Sequence, residues 1–319
     1  MPDSIHDNVL TAEDRIRPHV LETPLIPSPV LSLRTAASVY LKLENRQHTG
    51  SFKLRGATNK ILSLSQDERR RGVVTASTGN HGLAVAYAPD QLGVDATIFL
   101  PESASPRKVE KLRAFPVDLR FVPGDAINAE LAARAAGEDT GKPYISPYND
   151  PQVMAGQGTV GVEMLRQRLN LDTVFVAVGG GGLIGGIAGY LKAAKPDIHI
   201  VGCLPLNSPV MAESVRQGGI VEMETLPTLS DGTAGGIEDG SVTFAACQRY
   251  VDEWMLVGEE AIAAAVRWMH TEHGEVIEGA AGVPIAALLL RTDRWQGQTV
   301  GLVMCGGNID PAVWKGIAE

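Results

Sequence analysis

Short apolar runs alternate along this chain with longer stretches whose apolar residues recur at helical spacing. Val39 to Leu43 reads as a strand and Lys53 to Ser63 as a helix, followed by the charged segment Gln66 to Arg71. Gly72 to Ala76 is a second strand that runs into Ser77-Thr78-Gly79-Asn80-His81, with Gly82 to Tyr87 continuing as a helix. Ala96 to Leu100 and Leu119 to Val122 read as strands, followed by helices over Pro106 to Phe115 and Asn128 to Gly141. After Tyr148 the same grammar resumes. Thr159 to Leu169 and Leu183 to Ala194 are helical, and Thr173 to Val178, His199 to Cys203 and Val300 to Met304 are strands. Repeated βα units predict parallel sheets with helices on both faces. About a dozen elements exceed what one sheet of roughly five or six strands accommodates, so two α/β lobes with a cleft between them are expected. The stretch Ser208 to Gly240, rich in Gly, Pro, Ser and Thr, is expected as a long, partly ordered excursion near that cleft.

Three strand ends carry loops of the kind that hold ligands. Val174 to Val178 leads into Gly179-Gly180-Gly181-Gly182-Leu183 and then a helix. Glycine lets backbone N–H groups approach an anion, and the helix N-terminus adds partial positive charge. One or two glycines would suit a plain tight turn; four in succession favour a ligand. Gly180, Gly182 and Gly185 meet the dinucleotide spacing loosely, but Cys203-Leu204-Pro205 after the next strand supply no acid, and the Gly-Lys-Ser/Thr of a P-loop is absent. A single phosphate fits best.

Lys53 lies between Phe52 and Leu54 at a helix start, where the macrodipole disfavours a cation. Desolvation there would lower its pKa, as an imine-forming amine requires. Taken alone, it fits a snorkelling surface lysine at least as well. Ser77 to His81 offers two hydroxyls, an amide, an imidazole and free N–H groups at a helix start, a cradle for a carboxylate. Alone, it also suits an ordinary N-cap and a packed histidine. Val300 to Met304 ends in Cys305-Gly306-Gly307-Asn308, at the carboxyl end of a strand where α/β ligands sit. By itself Cys305 would read as a buried structural thiol.

Composition narrows the class of partner. Of 319 residues, 44% are hydrophobic and 20% charged, ordinary values for a globular chain. A formal net charge of -9 argues against non-specific nucleic-acid binding and anionic membrane surfaces. Cys203, Cys247 and Cys305 are odd in number and widely spaced, so neither a disulfide framework nor a zinc site is expected and a reducing cytoplasm fits. Met1 to Leu10 carries acids and no apolar core, unlike a signal peptide, and no run approaches the roughly 18 apolar residues of a membrane span.

Taken together, these segments resemble the fold-type II pyridoxal-phosphate (PLP) enzymes, the tryptophan synthase β-like group that includes threonine and serine dehydratases and serine racemase. The resemblance covers nearly the whole chain. It runs through Glu22-Thr23-Pro24-Leu25, Leu41-Lys42-Leu43-Glu44-Asn45, Gly50-Ser51-Phe52-Lys53-Leu54-Arg55-Gly56, Ser77 to Gly82, Ala155-Gly156-Gln157-Gly158-Thr159, Gly179 to Leu183 and Cys305 to Asn308. It implies two open parallel-sheet lobes with PLP in the cleft: residues 1–69 and 148–319 as a large PLP-binding domain and 70–147 as a small mobile one. By the same resemblance Lys53 is the Schiff-base lysine and the base that removes the α-proton, and Phe52 packs near the ring. Asn80 bonds the ring hydroxyl, and Gly179, Gly180, Gly181, Gly182 and Leu183 hold the phosphate. Cys305 faces the pyridine nitrogen, Glu278 is an acid near the ring, and Ser77, Thr78, Gly79 and His81 hold the substrate carboxylate. Tyr148 is expected to shape the substrate side of the cleft.

The implied activity is removal of water and then ammonia from a small β-hydroxy amino acid. The substrate would be threonine- or serine-like, or phenylserine, hydroxyaspartate or a hydroxyectoine-derived acid. A homodimer is the common assembly of the group. Thr78 stands where racemase-type relatives use a serine to shuttle a proton on the ring face opposite the lysine, so a racemase is an alternative. A catalytically silent PLP-binding protein is another. Metal-binding relatives place carboxylates where this chain has Leu204 to Val210, which contains none, so no structural metal is expected there. The chain ends soon after Asn308, which by the resemblance suggests a catabolic or unregulated enzyme.

Overall fold

The computed structural model describes residues 4–318. Residues 1–3, at the head of the acidic segment Met1 to Leu10, and residue 319 lie outside the described residues. Nine strands are described: β1 (Leu25–Pro27), β2 (Ser38–Leu43), β3 (Val73–Ala76), β4 (Ala96–Pro101), β5 (Asp118–Val122), β6 (Thr173–Ala177), β7 (His199–Pro205), β8 (Glu253–Val257) and β9 (Thr299–Met304). They form a six-stranded sheet in the order β1-β2-β9-β6-β7-β8 and a three-stranded sheet in the order β3-β4-β5. Every pairing is parallel except that of β1 with β2. Two mostly parallel sheets are what the alternating pattern predicts.

The helices are α1 (Ile5–Ile16), α2 (Pro29–Thr35), α3 (Lys53–Ser63), α4 (Gln66–Arg71), α5 (Asn80–Leu92), α6 (Pro106–Arg113), α7 (Ala126–Thr140) and α8 (Pro151–Gln167). They continue with α9 (Gly182–Ala194), α10 (Val210–Gln217), α11 (Val242–Tyr250), α12 (Glu259–His273), α13 (Gly279–Leu290) and α14 (Pro311–Ala318). The excursion from Ser208 to Gly240 is therefore not without structure, because α10 and a 3-10 turn over Asp231–Thr233 lie inside it.

Of the elements the sequence does predict, α8 shifts most, starting at Pro151 rather than Thr159. Asp150 caps it, accepting from the N–H groups of Gln152 at 2.7 Å and Val153 at 3.1 Å, and Pro151 supplies a preset φ in the first turn. Ala155 to Thr159 is helical in spite of its glycines. Those glycines serve close helix contacts. A Cβ on Gly156 would stand 2.6 Å from the Arg55 carbonyl oxygen in α3, and one on Gly158 2.8 Å from the Gly186 carbonyl oxygen in α9. Central α8 thus contacts α1, α3 and α9, and Val153 to Leu165 is buried throughout.

β6 and β9 are buried along their whole length, as strands covered on both faces should be. Phe175 of β6 meets Trp295 edge-on at 4.9 Å. Each such buried large side chain contributes about 1.5–3 kcal/mol. A second core joins Leu54, Ala57 and Ile61 of α3 to Val73, Ala84, Val85 and Ile145. The helix that begins with Lys53 is in this way packed beside β3 and α5 of the three-stranded layer, and it also contacts α8. Among the described residues no helix is long and apolar enough to cross a membrane.

Candidate active site

Lys53 opens α3, and three contacts fix where its side chain starts. The Phe52 N–H donates to the Cys305 carbonyl at 3.1 Å, Ser51 bridges to Gly306, and the Gly307 N–H donates to Gly50 at 2.9 Å. The loop after β9 is therefore laced to the segment before α3. The Lys53 amine lies 5.3 Å from the Phe52 ring centroid and donates to the Pro147 carbonyl at 2.8 Å. Burial lowers its pKa from 10.5 to about 8, against the opposing influence of Cys305 and Glu278. At neutral pH roughly a tenth of such a lysine is free amine, about three hundredfold more than for an ordinary one.

Cys305 is buried at 3% exposure. Its thiol is pushed well above the ordinary value by that burial and by Glu278, so it stands as a neutral group. Glu278 precedes α13 and is also buried. Burial raises its pKa, with the Asn80 amide working the other way. Asn80 donates to both Glu278 oxygens, at 2.8 and 2.9 Å, and accepts from the Asn308 amide at 2.8 Å. The Asn308 N–H donates to Glu278 at 3.2 Å. Asn80 is thus brought beside Glu278 and the Cys305 loop, with its amide nitrogen engaged by the acid.

The glycine run leaves β6 as the pattern predicts, and α9 starts at Gly182. A Cβ on Gly180 would stand 2.5 Å from the Tyr148 ring, and Gly181 takes φ +83°, a conformation L side chains rarely adopt. The N–H groups of Gly182 and Leu183 open the helix and have no partner inside it. Tyr148 follows Pro147, so adjacent residues of one segment touch both Lys53 and the glycine loop. Thr233 lies against Gly179, and Gly232 lies near Glu278. The 3-10 turn of the excursion therefore closes the same space. The sequence placed that stretch near the cleft but offered no periodicity to assign the turn.

Ser77, Thr78 and Gly79 form the turn between β3 and α5, and all three are partly exposed. The Ser77 hydroxyl accepts from the Gly79 N–H at 3.2 Å. His81 differs from the carboxylate-holding side chain expected of it. Its ring is buried at 4% exposure, with Nε2 at 2.9 Å from the Ile145 carbonyl and 3.1 Å from the Thr75 hydroxyl. Burial lowers its pKa from 6.5 to about 3, and nearby Lys53 adds to the effect. A neutral imidazole engaged this way holds the chain behind the turn, leaving only the His81 N–H at the helix start. Spacing alone could not tell the two orientations apart, because a histidine in the first turn of a helix can aim its ring at the cleft or back at the strand before it.

The donor set fits PLP. An amine with a lowered pKa suits an aldehyde and a neutral thiol suits a pyridine, while a glycine cradle whose side-chain space Tyr148 and Thr233 already fill, together with a helix N-terminus, suits a phosphate. Among the described residues no group of three or more His, Cys, Asp or Glu side chains could hold a metal ion.

This arrangement defines a PLP-dependent α/β enzyme, and the family model described as "Pyridoxal-phosphate dependent enzyme" matches residues 16–306. The chain belongs to that family. It is 41% identical over 304 residues to the L-threonine ammonia-lyase of Thermotoga maritima, covering 95% of this chain and 75% of that one. Maize serine racemase superposes with a TM-score of 0.92 at 31% identity, over 98% of this chain and 96% of that one. The processed form of threonine deaminase isoform 2 from Solanum lycopersicum gives 0.91 at 33%, over 97% and 90%.

Proposed function

We propose that this chain is a PLP-dependent ammonia-lyase that converts a small β-hydroxy amino acid to a 2-oxo acid and ammonia. The observation that carries this is the Lys53 amine, lowered to about 8 and standing near a neutral Cys305 thiol and the buried Glu278. PLP bound there supplies the sink for the electron pair left when the α-proton departs. Lys53 carries the cofactor and takes that proton. Cys305, uncharged, would be the group that meets the cofactor's pyridine, and such a partner would leave a weaker electron sink than a carboxylate would, favouring prompt elimination. Gly179 to Leu183 hold the phosphate through N–H groups at the start of α9. Ser77, Thr78 and Gly79, with the first N–H groups of α5, hold the substrate carboxylate. The matched L-threonine ammonia-lyase supports a threonine- or serine-like substrate.

The test is release of 2-oxo acid and ammonia from a panel of L- and D-serine, L-threonine, both 3-hydroxyaspartate diastereomers and phenylserine. Release from at least one, abolished in Lys53→Ala, is expected. No release from any of them by a cofactor-loaded protein would sink the proposal.

Thr78 supports a second activity. Its hydroxyl lies on the partly exposed turn and serine racemase shares the fold, so slow racemisation of serine is expected alongside elimination. Chiral analysis of recovered L-serine, with Thr78→Ala as control, decides it. The residues 70–147 form a small domain that closes on the substrate, the chain works as a homodimer, and its place is the cytoplasm. Sedimentation and scattering with and without substrate test the first two.

A further inference from the structure

We propose that the Pro147 carbonyl is the resting acceptor for the Lys53 amine whenever that amine is free of the cofactor, and that Ser146 is the positioning residue that holds this carbonyl in place. The inference rests on the reading of Lys53 as the cofactor-bearing lysine, and the tests below separate the two.

The geometry is a bracket around one peptide group. Pro147 lies where the chain crosses from the three-stranded sheet to α8, and the crossover is pinned on both sides. Before it, the Ile145 N–H donates to Val74 at 2.8 Å, and the Ile145 carbonyl accepts from the Thr75 hydroxyl at 2.8 Å and meets His81 Nε2 at 2.9 Å. After it, the Tyr148 ring covers Gly180, and its hydroxyl accepts from the Glu238 N–H at 3.0 Å. Between the two anchors, the Ser146 hydroxyl accepts from the N–H groups of Asn149 at 3.0 Å and Tyr148 at 3.4 Å, with Ser146 only 5% exposed. This serine turn fixes the peptide plane that carries the Pro147 oxygen. The oxygen cannot follow the lysine, so the flexible lysine must return to it.

A carbonyl accepts more strongly from an ammonium than from a neutral amine. When Lys53 takes the α-proton, the Cα–H bond breaks and an N–H bond forms at Nζ. The electron pair stays on the substrate side. The lysine is then a cation, and its acceptor is already 2.8 Å away. The other groups facing Lys53 are Cys305 after β9, Glu278 before α13 and His81 in α5. His81 is an uncharged imidazole, while Cys305 and Glu278 favour the charged form, and the Pro147 carbonyl is the group that accepts from the amine directly.

The experiment compares Ser146→Ala, Ser146→Thr and Pro147→Gly with the parent, each as the full chain. In cofactor-stripped protein the pH dependence of Lys53 trinitrophenylation by trinitrobenzenesulfonate, which releases sulfite, is read by peptide mass. In the loaded enzyme kcat and KM are measured. With the carbonyl released, the Lys53 midpoint should fall by about half to one pH unit. The kcat should fall about tenfold with KM within twofold, and Ser146→Thr should restore both. Pro147→Gly keeps Ser146 but frees the backbone, and it should move both readouts the same way if Ser146→Ala does not fold. An unchanged midpoint in a folded variant, with or without a change in KM, overturns the inference. Turnover that survives Lys53→Ala overturns the lysine assignment instead.

Discussion

Arg55 and Glu163 are joined by two hydrogen bonds, of 2.7 and 2.8 Å, with both side chains sealed from solvent. Arg55 stands two residues after Lys53 on α3, and its other edge binds Glu44 at 2.7 and 2.8 Å. Glu163 also accepts from Lys42 at 2.5 Å, from Arg17 at 2.6 Å and from the Thr23 N–H at 3.2 Å. The start of the lysine helix is therefore bolted to α8 and β2 by charge rather than by apolar packing. Burial opposes the charge on Glu163, but Arg55 and Lys42 together hold its carboxyl well below the usual range.

Removing that one carboxylate should be costly, because it leaves two buried cations facing Glu44 alone. Glu163→Gln is expected to destabilise the fold by about 3–5 kcal/mol. Arg216→Ala, which breaks the exposed pair with Glu213, should leave the stability nearly unchanged, because solvent screens such a pair. The pH dependence has a definite sign. A depressed carboxyl pKa gives stability that is complete above the ordinary 4.5 and drains away as pH falls below it. Urea melts from pH 7 to pH 3 should show a weaker acid loss in Glu163→Gln than in the parent. Parallel curves would mean that the cluster does not hold the carboxylate ionised.

Two glycines should respond to alanine with opposite signs. A Cβ on Gly186 would stand 2.2 Å from the Met154 carbonyl oxygen and 2.7 Å from the Gly158 nitrogen, so Gly186→Ala must push α9 from α8 and should cost at least ~1–3 kcal/mol. Gly316 lies in α14 with nothing within 4 Å. Gly316→Ala should stabilise by up to ~1 kcal/mol. Thermal melts of both variants check the pair, and equal shifts would refute the close-approach argument.

The same glycines show how much was legible in the sequence. The strand ends at Val178 and Met304 and the glycine run between strand and helix could be read from order alone, and these are the elements proposed to cradle the cofactor. Gly156 and Gly158 could not be read correctly, because a glycine used for helix contact looks the same in one dimension as a glycine used for a turn. α13 was not read either. It is apolar on nearly every side and contains Gly282 and Pro284, so it lacks the polar face by which a surface helix is recognised. The charge cluster had a trace in Lys42 and Glu44 at the end of an apolar strand, but its partner Glu163 lies far along the chain. The Ser146 turn left no trace, since its role depends on where Lys53 comes to rest.

His81 gives a prediction of its own. With its pKa lowered to about 3, the imidazole should remain uncharged from pH 8 to pH 5, and its ring protons should not shift in that interval by NMR. The unfolded chain takes up a proton near 6.5 while the folded one does not. His81 therefore adds stability that is complete above pH 6.5 and is lost as pH falls toward 3. A titration midpoint near 6.5 would place the ring in the cleft, as a direct ligand of the substrate carboxylate would be.

Cys305 tests the electrostatic side of the proposed chemistry. Its thiol is neutral because it is buried beside Glu278, and Lys53 feels both groups. Cys305→Asp would add a second carboxylate to a site that already holds one raised acid. An aspartate ionised there favours the Lys53 ammonium, so a higher pH would be needed to free the base. The acidic limb of the kcat profile reports the base in the substrate complex. It should move up by about half a unit or more in Cys305→Asp, and kcat near pH 7 should fall about threefold to tenfold. Cys305→Ser keeps a neutral group of similar size and should leave the limb in place. If both variants keep the parent profile, Cys305 does not face the reacting centre. If both shift alike, burial volume rather than charge governs the site.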